Sequence, residues 1–213
     1  MSGPKRASAK DERRARLAEI QSEQRRAERR RTRIIVGVSA GVALALIIPA
    51  AIVIVDAQQR QSEVQALAEQ PIDGVAEFEE LTANHVAGPV DYTQTPPVGG
   101  DHDATWQNCG FYEAPVTDVH AVHSLEHGAV WITYSTDLPE DQIDTLRSLT
   151  EQHPYLLVSP YEGLDAPVVA SAWGLQLELD TVDDDRLEPF LLRYLQGPQT
   201  LEPGAACQGG VGA

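Results

Sequence analysis

Between Val119 and Tyr134 the chain reads VHAVHSLEHGAVWITY, which sets His120, His123 and His127, three of its six histidines, beside Glu126 and directly ahead of an apolar run. Imidazole and carboxylate are ligands of zinc and copper, so the stretch has the chemistry of a transition-metal grip. In a helix the i, i+4 spacing stacks His123 and His127 on one face; in a strand the two share a face with Leu125 while Glu126 points away. Both conformations keep the two imidazoles on one side. A third ligand is available from His102, which follows Gly99-Gly100-Asp101 on a segment able to approach closely, and Asp101, His120 and Glu126 complete the candidates. With Met1 the only methionine, a thioether-rich copper(I) shell is disfavoured, and Zn(II) or Cu(II) suits these donors better. The bland alternative is that the histidines cap the strand and bridge loops through hydrogen bonds. His85 and His153 look ordinary.

Hydrolysis is poorly supported. In H-E-x-x-H the glutamate directly follows the first histidine and acts on metal-bound water, whereas in His123-Ser124-Leu125-Glu126-His127 it directly precedes the second. Ser124 with His120 or His127 as base and Asp118 as orienting group lacks the G-x-S-x-G surroundings of a nucleophile elbow. No catalytic residue is assigned.

Ile34 to Val55 carries no charge, and its 22 residues at about 1.5 Å each reach roughly 33 Å, the thickness of a bilayer core. The flanks differ in sign: residues 1–33 hold twelve Lys and Arg against five acids, residues 56–213 four Arg against 27 acids. The positive-inside rule then predicts a single-pass protein of the cell membrane, with a basic cytoplasmic tail (1–33), a span (34–55), a helical stalk (56–70), an extracytoplasmic domain (71–207) and a flexible C-terminus (208–213). A cleaved signal peptide competes, with Val55-Asp56-Ala57 near a tolerable cleavage spacing. The acidity of the outer part excludes nucleic acid as its partner, and the basic tail lacks interleaved aromatics for stacking bases. The bilayer is the expected partner, with another envelope protein as a second.

Cys109 and Cys207 in an exported domain most simply form one disulfide; a metal-ligand role for Cys109 is the rival. Pro89 to Gly110 reads as a long loop, Ala129–Tyr134 as a strand, Asp141–Gln152 as a helix, Tyr155–Val158 and Val168–Leu179 as two strands, and Asp183–Gln196 as a last helix whose regular part is delayed by Pro189. This order predicts an α+β domain: a small mixed or antiparallel sheet packed by helices. Trp106, Phe111, Tyr112, Trp131 and Trp173 are aromatic anchors for a partner or, more commonly, core, with Trp131 expected inside and Tyr112 and Trp173 as pocket candidates.

His85-Val86, Tyr92, Pro96-Pro97-Val98-Gly99-Gly100-Asp101-His102, Cys109-Gly110-Phe111-Tyr112, His123 to Val130 (HSLEHGAV), Tyr134 and Ala172-Trp173-Gly174 together resemble the domain of unknown function 3105 family. The resemblance spans about residues 75 to 200 and implies a mostly bacterial protein with a basic tail, one span and an exported domain. Gly99-Gly100-Asp101 stands where that family more often looks like Ser-Gly-Pro, a more flexible loop with an added carboxylate. The expected role is binding one transition-metal ion, zinc or copper; the alternative is a non-enzymatic assembly module docking on another envelope protein.

Overall fold

The computed structural model describes the backbone of residues 9–212, and their side chains except at 9–11, 27, 40–46, 50–53, 60, 61, 63–65 and 68. Two compact units divide the chain, Met1–Ser62 and Glu63–Ala213. The helix α1 runs over Ala9–Glu69, carrying Pro49 within it, and Pro71 follows its end. Among the described residues no helix is long and apolar enough to cross a membrane. Much of the expected span Ile34–Val55, residues 40–46 and 50–53, lies outside the described side chains.

The second unit holds β1 (Val75–Glu77), β2 (Gly110–Phe111), α2 (Asp118–Glu126), β3 (Val130–Tyr134), α3 (Glu140–Gln152), β4 (Leu156–Pro160), β5 (Val168–Ala172), β6 (Leu175–Leu179) and α4 (Leu187–Tyr194). The α+β class expected from the sequence is what forms: six strands in the order β1-β6-β5-β3-β4-β2 make one mixed sheet. β3 and β2 each pair in parallel with β4, and the other pairings are antiparallel. The β3–α3–β4 crossover supplies the helix that parallel neighbours require.

The central strands VWITY, LLVSP and VVASA are buried at every position because both faces of the sheet are covered. On one face Val130, Ile132, Val158, Ala170 and Leu177 pack under Leu146 of α3 and Phe190 and Leu191 of α4. On the other, Trp131 and Leu157 meet Ala121, Val122 and Leu125 of α2. Trp131 is inside, as expected, and its indole N–H donates to Ser159 Oγ at 3.0 Å.

Val168–Leu179 is not one strand but a hairpin. Gly174 at φ +70° turns the chain, and a Cβ there would stand 3.0 Å from Phe78 O, so the Trp173-Gly174 pair is a corner between β5 and β6. That corner anchors the long loop: Gly174 N–H donates to Val98 O at 2.7 Å, and Gln176 Nε2 donates to Pro96 O at 3.0 Å. Pro96 to Gly99 are buried, so the segment lies against the sheet as part of the core. The last helix is shorter than the Asp183–Gln196 expectation and begins at Leu187, two residues ahead of Pro189, whose missing N–H falls in the unbonded first turn.

Candidate metal centre

Asp118 in the first turn of α2 complements the helix dipole, and the helix closes on Gly128. His127 N–H donates to His123 O (3.2 Å), Gly128 N–H to Leu125 O (2.9 Å) and Ala129 N–H to Ser124 O (2.9 Å), a Schellman ending that requires the positive φ of Gly128, +90°. The choice between helix and strand for His123–His127 is thereby settled. With Ala121, Val122 and Leu125 turned into the core, His123, Glu126 and His127 fall at i, i+3 and i+4 on one side.

The long loop supplies the other ligands. A single parallel bridge joins His85 to His102: Val86 N–H donates to His102 O at 2.8 Å and His102 N–H to Asn84 O at 3.0 Å. Asp101 makes that bridge rigid by accepting from the N–H (3.2 Å) and Nδ2 (2.8 Å) of Asn84. Hydrogen bonds from Thr82 and Asn84 hold its carboxyl below the usual range. The Asp101 carboxylate therefore fastens the loop instead of joining the imidazoles.

His85, His102, His123 and Glu126 form the cluster, each offering a ligand atom, and all these atoms lie within 4.8 Å of one another. Glu126 Oε2 is 2.9 Å from His102 Nε2 and 3.6 Å from His85 Nε2. The His85 and His123 rings stack at 4.8 Å between centroids, and His102 meets both edge-on at 5.0 and 4.8 Å. Trp173 stands edge-on to His102 at 5.8 Å, and Trp106 lies 5.0 Å from His127, so two indoles wall the cluster.

The second ring nitrogens are spoken for. His102 Nδ1 lies 2.8 Å from Gly100 O, His123 Nδ1 2.6 Å from Asp103 O and His127 Nδ1 2.8 Å from Ala206 O. A carbonyl accepts only, so each Nδ1 carries a proton, and a ring with no second proton presents a bare Nε2. These bare atoms face other acceptors: His102 Nε2 meets the Glu126 carboxylate, and His123 Nε2 is 2.9 Å from His127 Nε2. Two acceptors at that distance hold together only with a proton or a cation between them. Ligands 2.0–2.1 Å from one ion stand about 2.9 to 3.4 Å apart for angles from 90° to tetrahedral, so the spacing suits an ion. Burial pushes the His123 imidazole below its ordinary range, with the His127 and His102 rings acting in the same direction against the Asp103 carbonyl, which favours the neutral, ligating form.

Of the residues singled out from sequence, His102, His123 and Glu126 come together and His127 touches the cluster through His123. His120 does not: its Nδ1 donates to Thr105 O at 2.6 Å, beside Asp103 Oδ1 at 3.7 Å. The Tyr112 hydroxyl donates to Asn108 O. Ser124, fully buried, spends its hydroxyl proton on backbone carbonyls, Gln107 O at 2.7 Å and His120 O at 3.2 Å, while Asp118 accepts from Tyr161, so no triad exists around it. Burial raises the Asp118 carboxyl, opposed by that Tyr161 bond. His85 is the residue the sequence reading passed over. Its signal was its place ahead of the Pro-Pro segment, but only the bridge to His102 shows that the two rings meet.

Residues 85–209 match the model of the family described as "Protein of unknown function (DUF3105)". No curated protein and no solved structure matches the chain.

Proposed function

The chain belongs to the DUF3105 family, and from the chemistry of its side chains we propose that the second unit binds one transition-metal ion, zinc or copper(II), through His85, His102, His123 and Glu126. The observation that carries this is the spending of Nδ1–H on backbone carbonyls at His102, His123 and His127, with the bare Nε2 atoms turned toward one another and toward a buried carboxylate. Ligating histidines characteristically donate their second ring nitrogen to a carbonyl or carboxylate, which fixes tautomer and orientation. With those rings neutral, acceptor would face acceptor, an arrangement that a cation between them satisfies. Full-length chain equilibrated with Zn²⁺ or Cu²⁺ and then dialysed is expected to retain about one ion per chain by elemental analysis. Retention of none after exposure to both would overturn the reading.

The same proposal places this unit outside the cell, tethered by Ile34–Val55, on the strength of that uncharged run between a basic tail and an acidic remainder. Protease added to intact cells is then expected to degrade the C-terminal unit while it is still joined to the tail. Full protection would overturn this topology.

A further inference from the structure

Outside the four clustered residues, the C-terminal segment brings one more donor set to the same place. His127 has its Nδ1–H held by Ala206 O, and its Nε2 lies 2.9 Å from His123 Nε2 and 3.5 Å from Glu202 Oε2. Glu202 is fixed there by the backbone: its N–H donates to Glu126 O at 3.1 Å, which seats the segment on the end of α2. Side chains are open at 52% for Glu202 and 5% for His127, and His123 beyond them is buried. A carboxylate at the surface, then one buried imidazole, then a second that already belongs to the cluster make a row of ligand atoms, separate from the opening at His85, whose side chain is 47% exposed.

We propose that His127 Nε2 and Glu202 Oε2, beside His123 Nε2, form an outer position for a divalent transition-metal ion, through which the ion reaches and leaves the inner cluster. The inference rests on the inner metal-binding reading and adds a route to it. His123 is shared, so the ion passes from the outer pair to the inner set by exchanging ligands around one ring, without being released to water. As the ion enters, the proton that the facing Nε2 atoms share in the ion-free chain leaves to solvent, and no electron is exchanged. The acidic surroundings favour the first encounter with a cation.

The test compares full-length parent chain with Glu202→Gln, using Zn²⁺ alone and a chromophoric chelator in a stopped-flow instrument. Glu202 is exposed, so its amide variant should fold as the parent does. The parent is measured first for stoichiometry, and a parent that holds no Zn²⁺ sinks the metal reading and this route together. Given one ion per parent chain, Glu202→Gln should still hold one ion with Kd within about threefold of the parent, while uptake and release slow together by tenfold or more. Unchanged rates in Glu202→Gln would overturn the outer position. So would a change in release alone with weakened Kd, which would make the substituted residue an equilibrium ligand of the inner site.

Discussion

His123→Ala yields a chain that folds but holds no stoichiometric Zn²⁺ or Cu²⁺, with affinity lower by at least roughly a hundredfold. His123 is the ring that the other imidazoles meet: it stacks on His85, meets His102 edge-on and faces His127 through Nε2. Losing even an outer-shell partner of a metal ligand commonly costs tenfold to a hundredfold, and a central ligand costs more. His120→Ala and His153→Ala serve as controls, the first because its ring bonds to Thr105 O outside the cluster, the second because it caps α3. Equilibrium titration with each ion checks the set. Should the parent bind nothing and His123→Ala unfold it, the ring is structural, and a circular-dichroism melt separates that outcome from loss of the ion in an intact fold.

The partial visibility of this site in the sequence has a physical cause. His123 and His127 share a side in helix and strand alike, so their spacing alone groups them, and the helix that ends on Gly128 adds Glu126. His102 was legible because glycines precede it. His85 was not, because its role depends on a single backbone bridge across 17 residues, which leaves no periodic trace. Asp101 misled for the complementary reason: a carboxylate beside a ligand in sequence can point at Asn84, as this one does.

The same contrast governs the fold. Runs such as VWITY and LLV are apolar because the sheet is covered on both faces, and they are legible as strands, whereas Ser159-Pro160, which reads as the start of a turn, continues β4. β1 and β2, with three and two residues, are too short to show alternation, and they exist because β6 and β4 offer edges to pair with. The Trp173-Gly174 corner hid inside an apolar stretch whose pattern continues through the turn, and only the positive φ of Gly174 reveals it. Cys109 and Cys207, by contrast, were legible as a pair from redox logic alone, and they are bonded with their Cα atoms 5.4 Å apart.

Replacing both cysteines, Cys109→Ser with Cys207→Ser, is expected to lower stability by about 4 to 5 kcal/mol, since the bond closes a loop of sequence separation 98 and such a crosslink removes that much loop entropy from the unfolded chain. The effect reaches the metal centre through position: Cys207 follows Ala206, whose carbonyl fixes the His127 ring, and Cys109 N–H donates to Cys207 O at 2.8 Å. Beyond α4 the segment has no helix and no extended strand among the described residues, and it is held by isolated contacts such as Gln208 Nε2 to Cys109 O and Gly210 N–H to Asn108 Oδ1, both 2.8 Å. Such a segment opens at low free energy once its covalent tie is gone. Denaturant unfolding should therefore show a lowered midpoint with a steeper slope, because the unfolded chain without the crosslink is more expanded, and limited proteolysis under native conditions should cut the double variant first within residues 198–212. Thiol labelling of the unreduced, denatured parent should find no free cysteine. Two free thiols in the parent, or a variant within about 1 kcal/mol of it, would show that packing against Trp106, Asn108 and α2 holds the segment by itself.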